Sequence, residues 1–433
     1  HNVHTRSVTI EPGAVARVPD LVERYFPQGK LLVVADPNTQ AAAGNAVMDR
    51  LASKFQADLH LLGAEGDIPV GDETYVAAVR ERLKQGYVAA LAVGSGTIND
   101  LVKLAAEQVG LPYGVVCTAA SMNGYTSSIA AIYVDMLKRT LPATPPVWVV
   151  ADLDVLSAAP QEMTVAGLAD LMSKPSSSSD WRSASLILGE YYCDYCADLS
   201  GMAEAACRAE AQAIGKGKAE GVALLVAGLI LSGLSMAIAG SSSPASGGEH
   251  LISHVWDMRR LHEGKPHALH GAQAGLGTLM TASLWELLQT VPRPEEARIQ
   301  EIITARRPQE EEEADLMERL GPLAEASLAE YRRKRPDDQE LRRRLEWLRD
   351  NWGEFWAAVK PLLRKSSELR DTLEEAGAPV TAREIGFTPE ETEAAFRDAR
   401  YVRSRYTVFD LAADLGVLEE FVAPALERSR VLE

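Results

Sequence analysis

Ala89-Ala90-Leu91-Ala92-Val93 runs directly into Gly94-Ser95-Gly96-Thr97-Ile98-Asn99-Asp100, and this junction decides the fold. Five apolar residues in succession read as a strand buried on both faces, the signature of a parallel sheet covered by helices. The glycines mark a tight turn, and a helical period follows from Ile98 to Val109. Working outward, further strands are expected at Leu31–Ala35, Leu59–Leu62, Gly114–Cys117 and Val147–Val150. Helical stretches lie between them at Thr39–Gln56 and Asp72–Gln85. This alternation predicts an α/β N-terminal domain with a parallel Rossmann-like sheet, which binds ligands at the carboxyl ends of its strands. After about Asp154 strand signals nearly vanish, and an all-α C-terminal domain rich in Ala, Leu and Glu is expected. The boundary is read near Leu153–Pro160, giving domains of 1–155 and 156–433.

The 433 residues carry a formal charge of −17, with 46% hydrophobic and 24% charged residues. That balance argues against a general nucleic-acid binder, which needs a basic surface. It leaves room for an anionic substrate held by a local cluster of Lys, His and backbone N–H groups. Four cysteines exclude a disulfide framework and suit a reducing cytosol. The N-terminus HNVHTRSVTI lacks an apolar signal region, so no secretory leader is expected. The uncharged run Gly221–Gly240 is long enough to span a bilayer. It is read instead as a buried core helix, because it stands alone and leads into a His-bearing polar segment. The densely charged Glu310–Asp350 interleaves both signs and reads as a solvated helical face; a basic partner patch at Arg332–Arg335 or Arg342–Arg344 is the lesser alternative.

The turn Gly94–Asp100 is a candidate phosphate cradle, since glycines admit close approach and a helix N-terminus offers N–H donors. It is not the dinucleotide G-x-G-x-x-G, and Gly-rich strand–helix turns also occur for purely structural reasons. Asp36 ends an early strand; a carboxylate there accepts from an adenosine ribose and repels a 2′-phosphate, favouring NAD over NADP, or it simply caps a helix. Cys117–Ser127 (CTAASMNGYTS) supplies small hydroxyl residues after a buried strand, suited to a nucleotide or substrate cleft or to an ordinary loop.

Five of the eight histidines fall between 250 and 270. His250 and His254 lie one turn apart on an expected helix, and His267 and His270 follow. Asp170 and Lys174 are also read as one turn apart on a single helix, an i,i+4 pair. One carboxylate with two imidazoles makes a three-ligand site with an open position, able to act as a Lewis acid on a carbonyl. Cys193-x-x-Cys196 has no second pair and is read as structural.

GSGTINDLVK, CTAASMNGYTSS, GLADLMSK, SPASGGEHLISH, LHGAQAGLGTL, EIGF and RSRYTVFDLAADLG, in that order, resemble the superfamily of dehydroquinate synthase, glycerol dehydrogenase and the iron-containing alcohol dehydrogenases. Within it the chain is similar to the sn-glycerol-1-phosphate dehydrogenases, especially the bacterial group. The resemblance implies a dehydroquinate synthase-like fold, with NAD(P) on the first domain and metal and substrate on the second. It implies a metal held by Asp170, His250 and His270. It implies NAD(P) over Gly94, Ser95, Gly96, Thr97, Asn99 and Asp100, contacting Thr118 and Ser121. Substrate is implied near Asn123, Ser127, Lys174 and His254, the last two also catalytic. The implied reaction is reversible reduction of dihydroxyacetone phosphate to sn-glycerol 1-phosphate, in a cytosolic homodimer or higher oligomer. Zinc is the first choice of metal, with nickel or iron as alternatives.

Two positions depart from the family. Asn123 stands where Asp is frequent, and Ser243 where Arg is frequent; Lys174 and the Ser176–Ser179 run are the remaining candidates for anion contacts. The competing readings are a sugar phosphate cyclase, a polyol dehydrogenase without phosphate preference, and a non-catalytic scaffold.

Overall fold

The computed structural model describes residues 3–64, 66, 69–134 and 137–433. Its strands are β1 (Ser7–Glu11), β2 (Lys30–Ala35), β3 (Ala57–Leu61), β4 (Tyr87–Gly94), β5 (Tyr113–Cys117), β6 (Ile129–Val134), β7 (Leu137–Pro142) and β8 (Trp148–Asp152). Six of them form one sheet in the order β1-β8-β5-β4-β2-β3, and every pairing in it is parallel. The expected parallel α/β sheet is therefore borne out. β6 and β7 form a separate antiparallel hairpin, which the sequence reading did not include; nor did it include the edge strand β1.

Alternation sorts the side chains of the sheet. Leu31, Val33 and Ala35, with Ala89, Leu91 and Val93, and Trp148 and Val150, share one core with Val18 and Val22 of helix α1 (Val18–Tyr25) and Val47 and Leu51 of α2 (Asn45–Leu51). The expected Thr39–Gln56 helix is shorter and carries a π-helical stretch at Gln40–Gly44. Helices α3 (Glu73–Leu83) and α4 (Gly96–Val109) pack against each other, and α4 lies along β4 and β5. Gly114 faces Trp148 across the sheet, and a Cβ there would stand 2.2 Å from the indole.

Beyond β8 all the regular elements are helical, as expected. Those that matter below are α5 (Gln161–Leu171), α6 (Lys174–Leu188), α7 (Ala219–Ala239), α8 (Gly248–Glu263), α9 (His270–Leu288), α10 (Gln309–Leu320), α11 (Ala324–Lys334) and α12 (Asp338–Val359). One compact unit comprises His1–Leu171, Asp198–Ser242 and Glu375–Ala378; the other comprises Met172–Ala197, Ser243–Glu374 and Pro379–Glu433. Position 155 marks where strands give way to helices, but the first unit also takes α5 and α7.

The apolar run forms α7, and just over half of its most apolar stretch (56%) is buried within the protein. Gly233 on α7 faces Thr126 Oγ1, where a Cβ would come within 2.3 Å, and Thr126 Oγ1 donates to Ile230 O at 2.8 Å. This helix is spent on the core of the first unit, in keeping with the core-helix reading. The charged stretch forms α10, α11 and α12. Several of its arginines pair within the stretch, Arg332 with Glu313, Arg335 with Glu312 and Arg343 with Glu340, and Lys334 pairs with Asp410 beyond it. A basic partner patch finds no support there.

Candidate active site

The sheet reverses its strand order between β2 and β4, because the chain runs outward from β2 to β3 and then crosses back to β4. In open α/β sheets the crevice at such a point, beyond the carboxyl ends, receives the ligand. Asp36 follows β2, and Gly94–Asp100 follows β4. Ser95, Gly96 and Thr97 are half-buried and present surface, and Ser95 gives α4 no side-chain cap, so its first N–H groups remain for a ligand. Gly94 is required for packing, since a Cβ would lie 2.5 Å from that of Ile98. Asp36 caps the next turn: its Oδ1 accepts from Thr39 N–H at 2.9 Å. Thr118 N–H donates to Gly94 O at 3.2 Å, which joins the two loops, and Ser121 is half-buried.

Asn99 has no exposed surface; its amide donates to Asp100 Oδ1 at 3.1 Å and reaches Gly124 O at 3.5 Å. The residue the sequence reading passed over is Lys103, one turn further on and fully buried. Its ammonium, with three protons, lies within hydrogen-bond reach of four acceptors: Gly124 O and Ile129 O, both at 2.8 Å, Ser127 Oγ at 3.1 Å and Asp100 Oδ1 at 3.2 Å. Asp100 Oδ2 accepts Ala131 N–H at 3.0 Å. Burial pushes the Lys103 pKa down, and Asp100 opposes that shift. Lys103 and Asp100 thus pin the loop that carries Asn123 and Ser127.

Asn123 donates twice to Asp170, through its backbone N–H to Oδ2 and its Nδ2 to Oδ1, both at 3.1 Å. An Asp at 123 would lack the second donor; Asn123 supplies it and orients the Asp170 carboxylate. Gly167 admits the same loop, for a Cβ there would sit 1.9 Å from Ala120 O.

The single helix expected to carry Asp170 and Lys174 is broken: α5 ends at Leu171 and α6 starts at Lys174, with Pro175 in its first turn. The pair is therefore not an i,i+4 pair on one helix. Lys174 is fully buried, and its Nζ donates to Ser173 Oγ at 2.9 Å and Ala245 O at 3.1 Å. Within the Ser176–Ser179 run, Ser176 Oγ bonds Thr281 Oγ1 at 2.9 Å, and Ser177 and Ser179 donate to backbone carbonyls.

In the second unit α8 and α9 bring His250 and His270 together, ring centroids 5.1 Å apart. His250 Nδ1 lies 2.8 Å from Glu249 Oε1, which also accepts Gly247 N–H at 2.6 Å. Burial pushes the Glu249 carboxyl up, but His250 and the backbone N–H groups of Gly247 and Glu249 together hold it below its usual range. An ionised carboxylate only accepts, so His250 carries a proton on Nδ1, which in the neutral imidazole makes Nε2 the lone-pair donor. His270 Nδ1 lies 3.1 Å from Ser253 Oγ. Asp180 steadies the start of α8, accepting Gly248 N–H at 2.7 Å and Val408 N–H at 2.8 Å. Burial, reinforced by nearby Glu249, raises the Asp180 pKa well above the carboxylate range. Arg405 donates to Ser246 O, beside the segment that carries Ser243. His254 is buried on α8 one turn from His250, and His267 Nδ1 stands 3.4 Å from Asp257 Oδ1.

Of the candidate ligands, Asp170 belongs to the first unit, and His250 and His270 to the second. Among the described residues no three His, Cys, Asp or Glu side chains form a preassembled cage. The paired imidazoles of the second unit, with both Nδ1 atoms engaged, are donors that suit a divalent ion. A cavity of about 850 Å³ elsewhere in the second unit shares none of these residues; its arginines, such as Arg306 with Asp338 and Arg397 with Glu419, are already paired. The four thiols are free, Cys193 directly before the helix Asp194–Ala209 and Cys196 within it.

Residues 9–160 match the iron-containing alcohol dehydrogenase family. Over 297 residues the chain is 37% identical to a glycerol-1-phosphate dehydrogenase, NAD(P)+, of Pyrococcus furiosus, covering 67% of this chain and 83% of that protein. A Bacillus subtilis protein of the same name is 35% identical over 289 residues, covering 66% and 73%. Among solved structures, a probable glycerol dehydrogenase of Sinorhizobium meliloti superposes with a TM-score of 0.63 at 15% identity, covering 97% of this chain and 98% of that one. The glycerol dehydrogenase of Schizosaccharomyces pombe gives 0.61 at 17% identity, covering 99% and 92%. At those identities the likeness is one of fold. The match to the Pyrococcus furiosus protein extends through most of its length, and the chain belongs to the glycerol-1-phosphate dehydrogenase family, within the iron-containing alcohol dehydrogenase superfamily.

Proposed function

We propose that this chain reversibly reduces dihydroxyacetone phosphate to sn-glycerol 1-phosphate, using NAD(H) in preference to NADP(H) and a divalent ion held by Asp170, His250 and His270. Its family makes it an NAD(P)-dependent oxidoreductase acting on glycerol phosphate. The observation that carries the metal reading is the pair of imidazoles His250 and His270, 5.1 Å apart with both Nδ1 atoms engaged. When bound, the ion supplies Lewis acidity at the ketone oxygen and the nicotinamide supplies the hydride.

The chain's own residues do the rest. Ser95, Gly96 and Thr97 offer N–H donors and a helix dipole to the pyrophosphate. Asp36, beside the switch point, takes the ribose hydroxyls and disfavours a 2′-phosphate. Thr118 and Ser121 border the cofactor, while Asn99 and Asp100 shape its turn from behind. Lys103 keeps the Asn123–Ser127 loop in place, and Asn123 aims the Asp170 carboxylate. His254 delivers the proton to the new hydroxyl. Lys174 acts through the loop it holds at Ala245. Zinc suits the Asp/His/His set first, with nickel and iron close behind. The working form is a cytosolic homodimer or higher oligomer.

A second reading, a polyol dehydrogenase without phosphate preference, is favoured by one observation: Lys174 and the hydroxyls of Ser176, Ser177 and Ser179 are buried and bonded internally. Comparing kcat/KM for sn-glycerol 1-phosphate, sn-glycerol 3-phosphate and glycerol separates the two. The proposal expects a strong preference for the first; equal rates on glycerol would replace it with the second reading.

A further inference from the structure

We infer that Asp257, Gln273 and Ser253 form a directional hydrogen-bond relay that fixes the proton of His270 on Nδ1 and thereby presents Nε2 to the metal. The inference rests on the reading of His270 as a ligand.

The four residues are placed by helical spacing. Ser253 and Asp257 are four apart on α8, and His270 and Gln273 three apart on α9, so each pair shares one face of its helix. The direction of each bond follows from what each atom can do. Gln273 Nε2 lies 2.9 Å from Asp257 Oδ1, which only accepts when ionised. That contact turns the amide so that Gln273 Oε1 faces Ser253 Oγ, at 2.7 Å. A carbonyl oxygen cannot donate, so the single hydroxyl proton of Ser253 points to Gln273. Towards His270 Nδ1, at 3.1 Å, Ser253 is left only a lone pair. His270 must then be the donor, which puts a proton on Nδ1 and, in the neutral imidazole, makes Nε2 the lone-pair atom. Ser253, Gln273 and Asp257 are buried, so water does not compete for these bonds.

The two histidines thus reach the same tautomer by different routes. His250 is set by direct contact with the Glu249 carboxylate, and His270 by a neutral relay whose carboxylate is two side chains away. Gln273 and Asp257 act on His270 through Ser253; they are positioning residues.

The test uses full-length protein stripped of metal, with zinc titrated against a competing chromophoric chelator and His270 tautomers read by ¹⁵N NMR. Wild type is expected to bind zinc stoichiometrically and to show Nδ1–H at His270. Ser253→Ala is expected to weaken zinc by about 10- to 100-fold. Gln273→Met frees the Ser253 hydroxyl to donate to Nδ1 instead, so it should weaken zinc at least as much and move the His270 proton to Nε2. The Ser253→Ala/Gln273→Met double variant should be no weaker than Ser253→Ala, because Gln273 acts only through Ser253. Wild-type affinity in both single variants, or additive losses in the double variant, would overturn the relay. So would Nε2–H in wild type, a result independent of any variant's folding. Zinc uptake by His270→Ala equal to wild type would instead overturn the metal reading itself, while the tautomer measurement would still report on the relay.

Discussion

Replacing Gly277 by alanine pushes apart the two helices that carry the imidazoles. Gly277 lies on α9 opposite the backbone of Glu249 on α8. A Cβ there would stand 2.5 Å from Glu249 O and 3.1 Å from its carbonyl carbon, whereas ordinary contact begins at 3.4 Å. The obstacle is backbone, which cannot swing aside, so the helices must separate by about 0.9 Å at this point, the shortfall from ordinary contact. His250 adjoins Glu249, and His270 lies two turns before Gly277 on α9. Metal–ligand distances tolerate only about ±0.2 Å, so the separation exceeds that margin several-fold. Gly277→Ala should therefore lower zinc affinity by about tenfold or more, comparable to the loss of a supporting partner. Overpacking should also reduce stability by about 1–3 kcal/mol. Gly353→Ala is the control. Gly353 is exposed on α12 with nothing within 4 Å of a Cβ, and the change there should leave binding untouched while stability holds or rises by up to about 1 kcal/mol. Chelator competition gives the affinity, and denaturant titration without metal gives the stability. Wild-type zinc affinity in Gly277→Ala would refute the claim that this close approach sets the spacing of the imidazoles.

Three further outcomes follow from the same structure. Lys103→Met removes the buried ammonium from two carbonyls and from half-buried Asp100 and should cost about 2–3 kcal/mol, with a rise in KM as the Asn123–Ser127 loop loosens; a loss under about 1 kcal/mol would show that Lys103 is not the clamp. Asp36→Asn keeps the helix cap but removes the charge, so stability should hold while the NAD over NADP preference narrows, and an unchanged preference would leave Asp36 only its capping role. Glu340 is held at about 2, chiefly by its bond to Arg343, below the usual 4.5. Its contribution should be present above about pH 4.5 and fade as pH falls through about 2, so Glu340→Gln should lose up to about 1 kcal/mol near pH 6 and clearly less near pH 2. An equal loss at both values would show that the ion pair is not the cause.

The parts of this molecule that sequence makes legible are those with one environment along their length. β2, β4, β5 and β8 are buried on both faces, so their apolar runs announce them. β6 alternates between half-buried and buried positions while β1 has no buried residue, and these short runs carry little contrast. Pro175 was visible in the sequence, and its aversion to a helix interior separates Asp170 from Lys174. Lys103 reads as a solvent-facing lysine; only the loop folded over α4 makes it interior. Ser253 and Gln273 are ordinary helical residues until α8 meets α9, and that meeting depends on Gly277, whose missing side chain has meaning only once Glu249 is seen beside it. Asn123 could be noticed as a departure, but its two bonds to Asp170 belong to the folded loop.

The most direct test of the account is NADH oxidation with dihydroxyacetone phosphate by protein stripped of metal and then reloaded. Activity should vanish on stripping, return with stoichiometric zinc, nickel or iron(II), and fail to return in His250→Ala or His270→Ala. Full turnover by the stripped protein, or restoration of either histidine variant to the wild-type rate, would contradict it.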